Sequence, residues 1–280
     1  MSAAERRPAP LEIAAGPYRG LIHPRFKDQA AELARVFESD RSPLDELGAA
    51  VIHEGRNRLG VVSWPWMIAG FSRVVVKEFG FRGLTRLRSF FGPSKAVRAW
   101  RGAVALVERG IPTPFPVAFL EERRRRLVIH GFFLAGWVAE AREIRDLFRE
   151  LEGGELDKLL AELAPFLREC HGKGILHRDL SDGNILVKRT EAGGFRFFLL
   201  DTNRIRVRTK IGRRARVRNL VRLGVPAGRR RSFLGLCLGE GKSVGLWFVY
   251  YRARKGAYAS AVALKKKLRL RALARRLRIQ

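Results

Sequence analysis

The stretch Gly174-Ile175-Leu176-His177-Arg178-Asp179-Leu180-Ser181-Asp182-Gly183-Asn184-Ile185-Leu186-Val187 decides the reading of this chain. Before it, Leu156, Leu159, Leu160, Leu163, Phe166 and Leu167 recur at steps of three and four, which predicts a long amphipathic helix. After it, the apolar run Ile185–Val187 is answered across a Gly193-Gly194 turn by Phe195–Leu200, which leads into Asp201-Thr202-Asn203. A lone His-x-Asp would carry little meaning. Here the five-residue step from Asp179 to Asn184, the flanking strands and Asp201 all agree on one constellation.

The stretch resembles the H-R-D-x-x-x-x-N catalytic loop of the protein-kinase-like fold, with Asp201 at the place of the metal-binding Asp of D-F-G. The spacing has a mechanical reason. Phosphoryl transfer needs Mg²⁺ held against a nucleotide triphosphate and an acceptor hydroxyl aimed in line at the γ-phosphorus. Hard oxygen ligands suit Mg²⁺, so Asn184 and Asp201, at the facing ends of the expected hairpin, are the metal and nucleotide ligands. Asp179 is the group that accepts the hydroxyl proton. His177 and Arg178 are read as holding the loop together.

Such chemistry also needs a cation on the nucleotide phosphates, supplied by a Lys on the third strand of a small lobe. Val74-Val75-Val76-Lys77-Glu78-Phe79 fits the V-A-I-K pattern about one hundred residues before the loop, and makes Lys77 the nucleotide-binding candidate. Strands are also expected at Val51-Ile52 and Val61–Trp64, broken by Gly55-Arg56-Asn57 and Ala69-Gly70. Pro93-Ser94 opens a helix to Glu108 that stops at Gly110, and the strands Pro116–Leu120 and Leu127–Phe133 follow, joined by Glu121-Glu122 and the arginines 123–126 as a solvated turn. A strand-rich first half and a helix-rich second half predict two lobes meeting near Ala135–Trp137.

Together VVVKEF, ERGIPTPFPVA, HRDLSDGNILV, LLDTNRIRV and RVRNLVRLGVP resemble the bacterial lipopolysaccharide core kinases, the Kdo and heptose kinase family of the protein-kinase-like superfamily. The resemblance spans roughly residues 50 to 255. It implies an α+β, two-lobe protein-kinase-like fold, ATP with Mg²⁺, and a sugar hydroxyl of an anionic glycolipid as acceptor. The place of action it implies is the inner face of the bacterial cytoplasmic membrane, with the protein cytoplasmic and peripheral. The expected divisions are an N-terminal extension over 1–48, an N-lobe over 49–136, a C-lobe over 137–258 and a basic C-terminal helix over 259–280.

Departures from the family pattern are specific. There is no G-x-G-x-x-G, no A-P-E and no long activation segment, which argues against a regulated protein kinase. Ser181 stands where protein kinases carry a phosphate-binding Lys or Arg. Ala99 stands where the helix Glu that pairs with the strand Lys is expected, and Glu54 or Glu78 is the candidate substitute. A pseudokinase or scaffold with a basic membrane- or nucleic-acid-binding tail is therefore the alternative reading.

Composition bounds the rest. The chain has 280 residues, of which 46 % are hydrophobic, which argues against disorder. Net charge is +29, and it is concentrated: from Ile205 onward 23 basic residues face a single acid, Glu240, for +22. Such a segment calls for an anionic partner, here the glycolipid and an anionic membrane surface rather than nucleic acid. It also speaks against a phosphotransferase for cationic small molecules. Cys170 and Cys237, with no signal-peptide pattern, point to a reducing compartment and buried apolar roles. No uncharged run is long enough to span a bilayer.

Overall fold

Alternation of apolar and polar residues lays down a seven-stranded antiparallel sheet in the first half of the chain. The computed structural model describes residues 9–38, 42–46, 48–55, 57–68, 71–81, 86–87, 89–239 and 244–267. The strands are β1 (Leu11–Ala15), β2 (Tyr18–Ile22), β3 (Ala50–His53), β4 (Asn57–Ile68), β5 (Phe71–Gly80), β6 (Pro116–Arg124) and β7 (Leu127–Gly136), in the order β1-β2-β6-β7-β5-β4-β3. Residues 11–22, expected within an N-terminal extension, thus supply two strands of the sheet; both are too short for the alternation of Leu11-Glu12-Ile13 to stand out in the sequence. Residues 1–8, Arg56, Ala69-Gly70 and 268–280, on which several expectations fall, lie outside the described residues.

One face of this sheet is covered by helix α1 (Ala30–Glu38), whose Leu33 and Phe37 are buried. Phe132 of β7 lies edge-on to the rings of Phe37, 5.2 Å away, and Tyr18, 5.7 Å away. Such edge-to-face pairs add to the burial of three large rings at one spot. The β6–β7 connection is tighter than a solvated charge run: Glu121 and Glu122 are buried in β6, and Arg123 and Arg124 turn back onto them at 2.6 and 2.7 Å. Only Arg125 and Arg126 form the tip, with φ of 48° and 68°, the left-handed pair that a type I′ hairpin turn demands. Asn-Gly normally advertises that turn, which is why four arginines concealed it.

The chain divides into two compact units, Met1–Arg101 with Pro114–Trp137, and Gly102–Thr113 with Val138–Ile279. The boundary at Arg101 falls inside helix α2 (Lys95–Glu108), which Ser94 caps by accepting a hydrogen bond from the Val97 amide at 3.0 Å. The second unit carries β8 (Arg142–Glu143), α3 (Ile144–Glu150), α4 (Gly153–Gly172), β9 (Ile175–His177), β10 (Ile185–Arg189), β11 (Phe195–Leu199), β12 (Ile205–Val207), α5 (Arg213–Leu220), α6 (Arg230–Leu238) and α7 (Gly245–Lys267). Its core gathers the buried leucines of α4 with Ile185, Val187, Phe195, Phe197 and Leu199 of the hairpin. Cys170 and Cys237 sit in this core, where burial pushes the Cys170 thiol up to about 12 and raises Cys237 as well. Helix α7 begins well before Ala259 and runs past it without a break. No helix among the described residues is long and apolar enough to cross a membrane.

The aromatic cluster makes a direct prediction. Phe132→Ala removes the ring that Tyr18 and Phe37 both touch and is expected to cost about 3–5 kcal/mol, seen as a fall in the denaturation midpoint. Phe132→Leu, which refills part of the space, is expected to cost less.

Candidate functional site

The site is built around one buried imidazole. His177 ends β9, which pairs with β12 so that His177 lies opposite Ile205. Its Nδ1 accepts the Asp179 amide at 3.2 Å, so Nε2 carries the proton and donates it to the Leu200 carbonyl at 2.9 Å. Burial, only partly offset by that bond, lowers its pKa from the usual imidazole value and keeps the ring neutral. His177 therefore ties the start of the loop to the end of β11, as the sequence reading of a loop-holding histidine expected. Arg178 contributes through its backbone, whose amide donates to the Arg204 carbonyl at 3.0 Å.

The β10–β11 hairpin does the second half of the work. Ile185 faces Leu199, and just beyond them the Leu200 amide donates to the Asn184 carbonyl at 2.9 Å, so Asn184 and Asp201 stand at the same open end. Asn184 Nδ2 donates to the Asp179 carbonyl at 2.7 Å and to Ser181 Oγ at 3.2 Å. Both amide hydrogens are spent inside the loop, which leaves Oδ1, a hard acceptor, as the Asn184 atom for a cation. Ser181 thus has a local role that the absence of a Lys at its position had not suggested.

Asp201 adopts φ 47°, ψ 51°, a left-handed conformation that Asp tolerates better than most side chains. The Arg204 amide closes the turn on the Asp201 carbonyl at 2.9 Å, Asn203 Nδ2 donates to Oδ1 at 2.7 Å, and Arg204 Nε lies 3.6 Å from Oδ2. Helix α2 presses on the same turn at Gly102, where a Cβ would lie 2.0 Å from the Thr202 carbonyl oxygen. On the other side Thr113 Oγ1 donates to the Leu199 carbonyl at 2.8 Å, and the Leu199 amide donates to the Pro112 carbonyl at 3.0 Å. Gly102, Pro112 and Thr113 therefore fix where β11 ends and Asp201 begins.

Asp179 meets a partner that sequence reasoning missed. Arg222 Nη1 lies 2.6 Å from Asp179 Oδ1, on the segment that follows α5. The next turn of the loop is fastened to the same segment, because the Gly224 amide donates to Asp182 Oδ1 at 2.7 Å. Asn219 on α5 donates to the His177 carbonyl and accepts from His171 Nε2 at 2.9 Å. The quoted run RVRNLVRLGVP contains both Asn219 and Arg222, yet a basic amphipathic pattern says nothing about which Arg finds a carboxylate. A cavity of about 330 Å³ opens beside the loop, lined by Arg145, Phe148, Arg149, Ser181, Asp182, Gly183 and Gly224.

Lys77 lies in the other unit, in the middle of β5, opposite Leu59 on β4 and Phe133 on β7. Its Nζ sits over the Phe79 ring, 5.4 Å from the centroid, and residues two apart on a strand share a face. The suggested substitute carboxylates do not fit that role. Glu78 points to the opposite face, where Arg58 Nη1 lies 3.3 Å from it, and Glu54 lies 3.8 Å from the same Arg58. Ala99 is buried on α2.

The donor set Asn184 Oδ1 and Asp201 fits Mg²⁺: two hard oxygens from facing chain segments, one of them anionic. Among the described residues no cluster of three or more His, Cys, Asp or Glu could hold a metal unaided. Mg²⁺ is commonly bound through one or two protein oxygens together with substrate phosphates, so a two-residue set is adequate.

Residues 81–231 match the family described as lipopolysaccharide kinase (Kdo/WaaP), and they include α2, the loop, Asp201 and Arg222. A solved structure, WaaP in complex with acyl carrier protein, is similar at 18 % sequence identity over 78 % of this chain and 92 % of that one, with a TM-score of 0.54. The fold is thus α+β and of the two-lobe, kinase-like kind. No curated protein matches the chain.

The buried imidazoles predict a pH dependence. His171 and His177 both have folded pKa values below 6.5, chiefly through burial. Below that value the unfolded chain binds more protons than the folded one, so their neutral forms favour folding above about 6.5 and that contribution is lost as pH falls. Urea melts are expected to show lower stability at about pH 5.5 than at about pH 7.5, with a shallower fall in His171→Gln.

Proposed function

The chain belongs to the lipopolysaccharide kinase (Kdo/WaaP) family, is a kinase and uses ATP, and from that premise we propose that it phosphorylates a Kdo or heptose hydroxyl of a lipopolysaccharide core. The observation that supports this reading is the end of the β10–β11 hairpin, where the Leu200 amide on the Asn184 carbonyl brings the backbones of Asn184 and Asp201 to the same end and Asn184 Nδ2 ties that end to the Asp179 carbonyl. Each residue has a role that follows from its surroundings. Asp179, with its amide and carbonyl both bonded inside the loop, points its carboxylate to receive the acceptor proton. Asn184 and Asp201 would hold Mg²⁺, which when bound neutralises phosphate charge in the transition state. Lys77, held on a central strand, is the cation for the nucleotide phosphates.

The described part of α7 supports an accompanying membrane role. From Gly245 to Lys267 it carries no acid, and from Ala259 to Lys266 every residue is exposed, including Val262 and Leu264. The earlier turns pack on the body through Tyr251, so a packed and a free portion coexist on one helix. We propose that the free portion meets an anionic membrane surface, where each nearby Lys or Arg contributes about 1 kcal/mol. Removing residues 259–280 is then expected to weaken binding to anionic vesicles far more than to neutral ones, with a difference that fades as salt rises. Equal binding to both vesicle types, or no loss on truncation, would contradict it.

Transfer itself is tested by substitution. Asp179→Ala is expected to lower phosphate transfer to a purified core glycolipid about 10²–10⁴-fold while leaving Mg-ATP binding intact. Asp201→Ala is expected to weaken Mg-ATP binding itself, measured by titration calorimetry. Undiminished transfer by Asp179→Ala would overturn the assignment of the base.

A further inference from the structure

Arg222 is clamped from both sides. One nitrogen of its guanidinium, Nη1, lies 2.6 Å from Asp179 Oδ1, and the guanidinium carbon lies 5.1 Å from the ring centroid of Tyr258 on α7. The backbone around it is pinned by the same helix, since Lys255 Nζ donates to the carbonyls of Val221 and Leu223, both at 2.9 Å. Lys255 is half-buried, and burial lowers its pKa, with Asp182 among the groups opposing that shift. One residue further on, the Gly224 amide holds Asp182, and a Cβ at Gly224 would lie 2.1 Å from that carboxylate. A short segment, 221–224, is therefore fixed to α7 on one side and to the catalytic loop on the other.

From this arrangement we propose that Arg222 is the positioning residue of Asp179, and that α7 sets Arg222 through Tyr258 and Lys255. The inference rests on the reading of Asp179 as the base. A carboxylate free to rotate about its χ angles presents either oxygen in many directions; an Arg on Oδ1 fixes the plane and leaves Oδ2 to receive the acceptor hydroxyl. The ring of Tyr258 does for the guanidinium what the guanidinium does for the carboxylate, because a cation over an aromatic face has a preferred position. Helix α7, whose far end is exposed and basic, is thereby mechanically linked to the chemical step. Neither Tyr258 nor Lys255 needs to touch substrate for this to hold.

The test uses the full chain with ATP and purified core glycolipid. Arg222→Ala is expected to lower kcat about 10²-fold, the size of loss that a misplacement of about 1 Å produces, with KM for ATP unchanged. Millimolar guanidinium, far below denaturing concentrations, is expected to restore part of that kcat, and Arg222→Lys to retain more activity than Arg222→Ala. Tyr258→Leu is expected to lower kcat several-fold in the wild-type background and to have no further effect in Arg222→Ala, while Tyr258→Phe stays near wild type. A wild-type kcat in Arg222→Ala, beside an inactive Asp179→Ala, would overturn this inference alone. A lost kcat that guanidinium does not rescue, accompanied by a fall in melting temperature, would assign Arg222 to structure only and overturn it too. Transfer retained by Asp179→Ala would remove the base and this inference with it.

Discussion

The site depends on the His177 imidazole, bonded at both nitrogens. The amide of Asp179 and the carbonyl of Leu200 belong to segments separated by a whole hairpin, and one neutral ring holds them at fixed separation. A protonated ring would lose the acceptor that Asp179 needs. A solvated ring would exchange either bond for water. Burial enforces both conditions at once: it keeps the ring neutral and removes the competing solvent. From that tie the other contacts follow in order, with Asn184 on the Asp179 carbonyl, Leu200 on the Asn184 carbonyl, and Asp201 next in the chain.

Around this tie further contacts hold the neighbouring backbone in place. Thr113 and Pro112 hold Leu199, Gly102 allows α2 to approach Thr202, and Asn219 joins His171 to the end of β9. Each contact fixes backbone rather than a reacting group. That division suits phosphoryl transfer, in which positioning and electrostatics supply most of the rate and the protein undertakes little covalent chemistry.

Much of this was legible in the sequence, for identifiable reasons. The helix of α4, the hairpin and the five-residue step from Asp179 to Asn184 are local features, and local periodicity and spacing report them directly. The two N-terminal strands were not legible, because five residues of weak alternation become a strand only when β6 is present to pair with β2. The hairpin tip at Arg125-Arg126 was hidden because arginines do not advertise two left-handed residues, and the register of β6 on β7, with Arg124 opposite Leu127, is what places the turn there. Arg222 was the costliest omission. One arginine among 23 basic residues after Ile205 carries no mark of its partner, since the pairing with Asp179 spans more than forty residues and depends on how α5 and α7 pack. Glu78, one candidate partner for Lys77, is its neighbour on β5, and alternation sends the two side chains to opposite faces, while Glu54 lies beside Arg58.

We propose that Asp179, Asn184 and Asp201 form a phosphate-transfer centre for a core sugar. It is tested most directly by incubating the protein with ATP, Mg²⁺ and purified, dephosphorylated core glycolipid and locating the new phosphate by phosphorus NMR and mass spectrometry. One phosphate ester is expected on a Kdo or heptose hydroxyl, absent when Asp201→Ala replaces the wild-type protein. A glycolipid that gains no phosphate while ATP is bound, or one that gains it equally from Asp201→Ala, would contradict it.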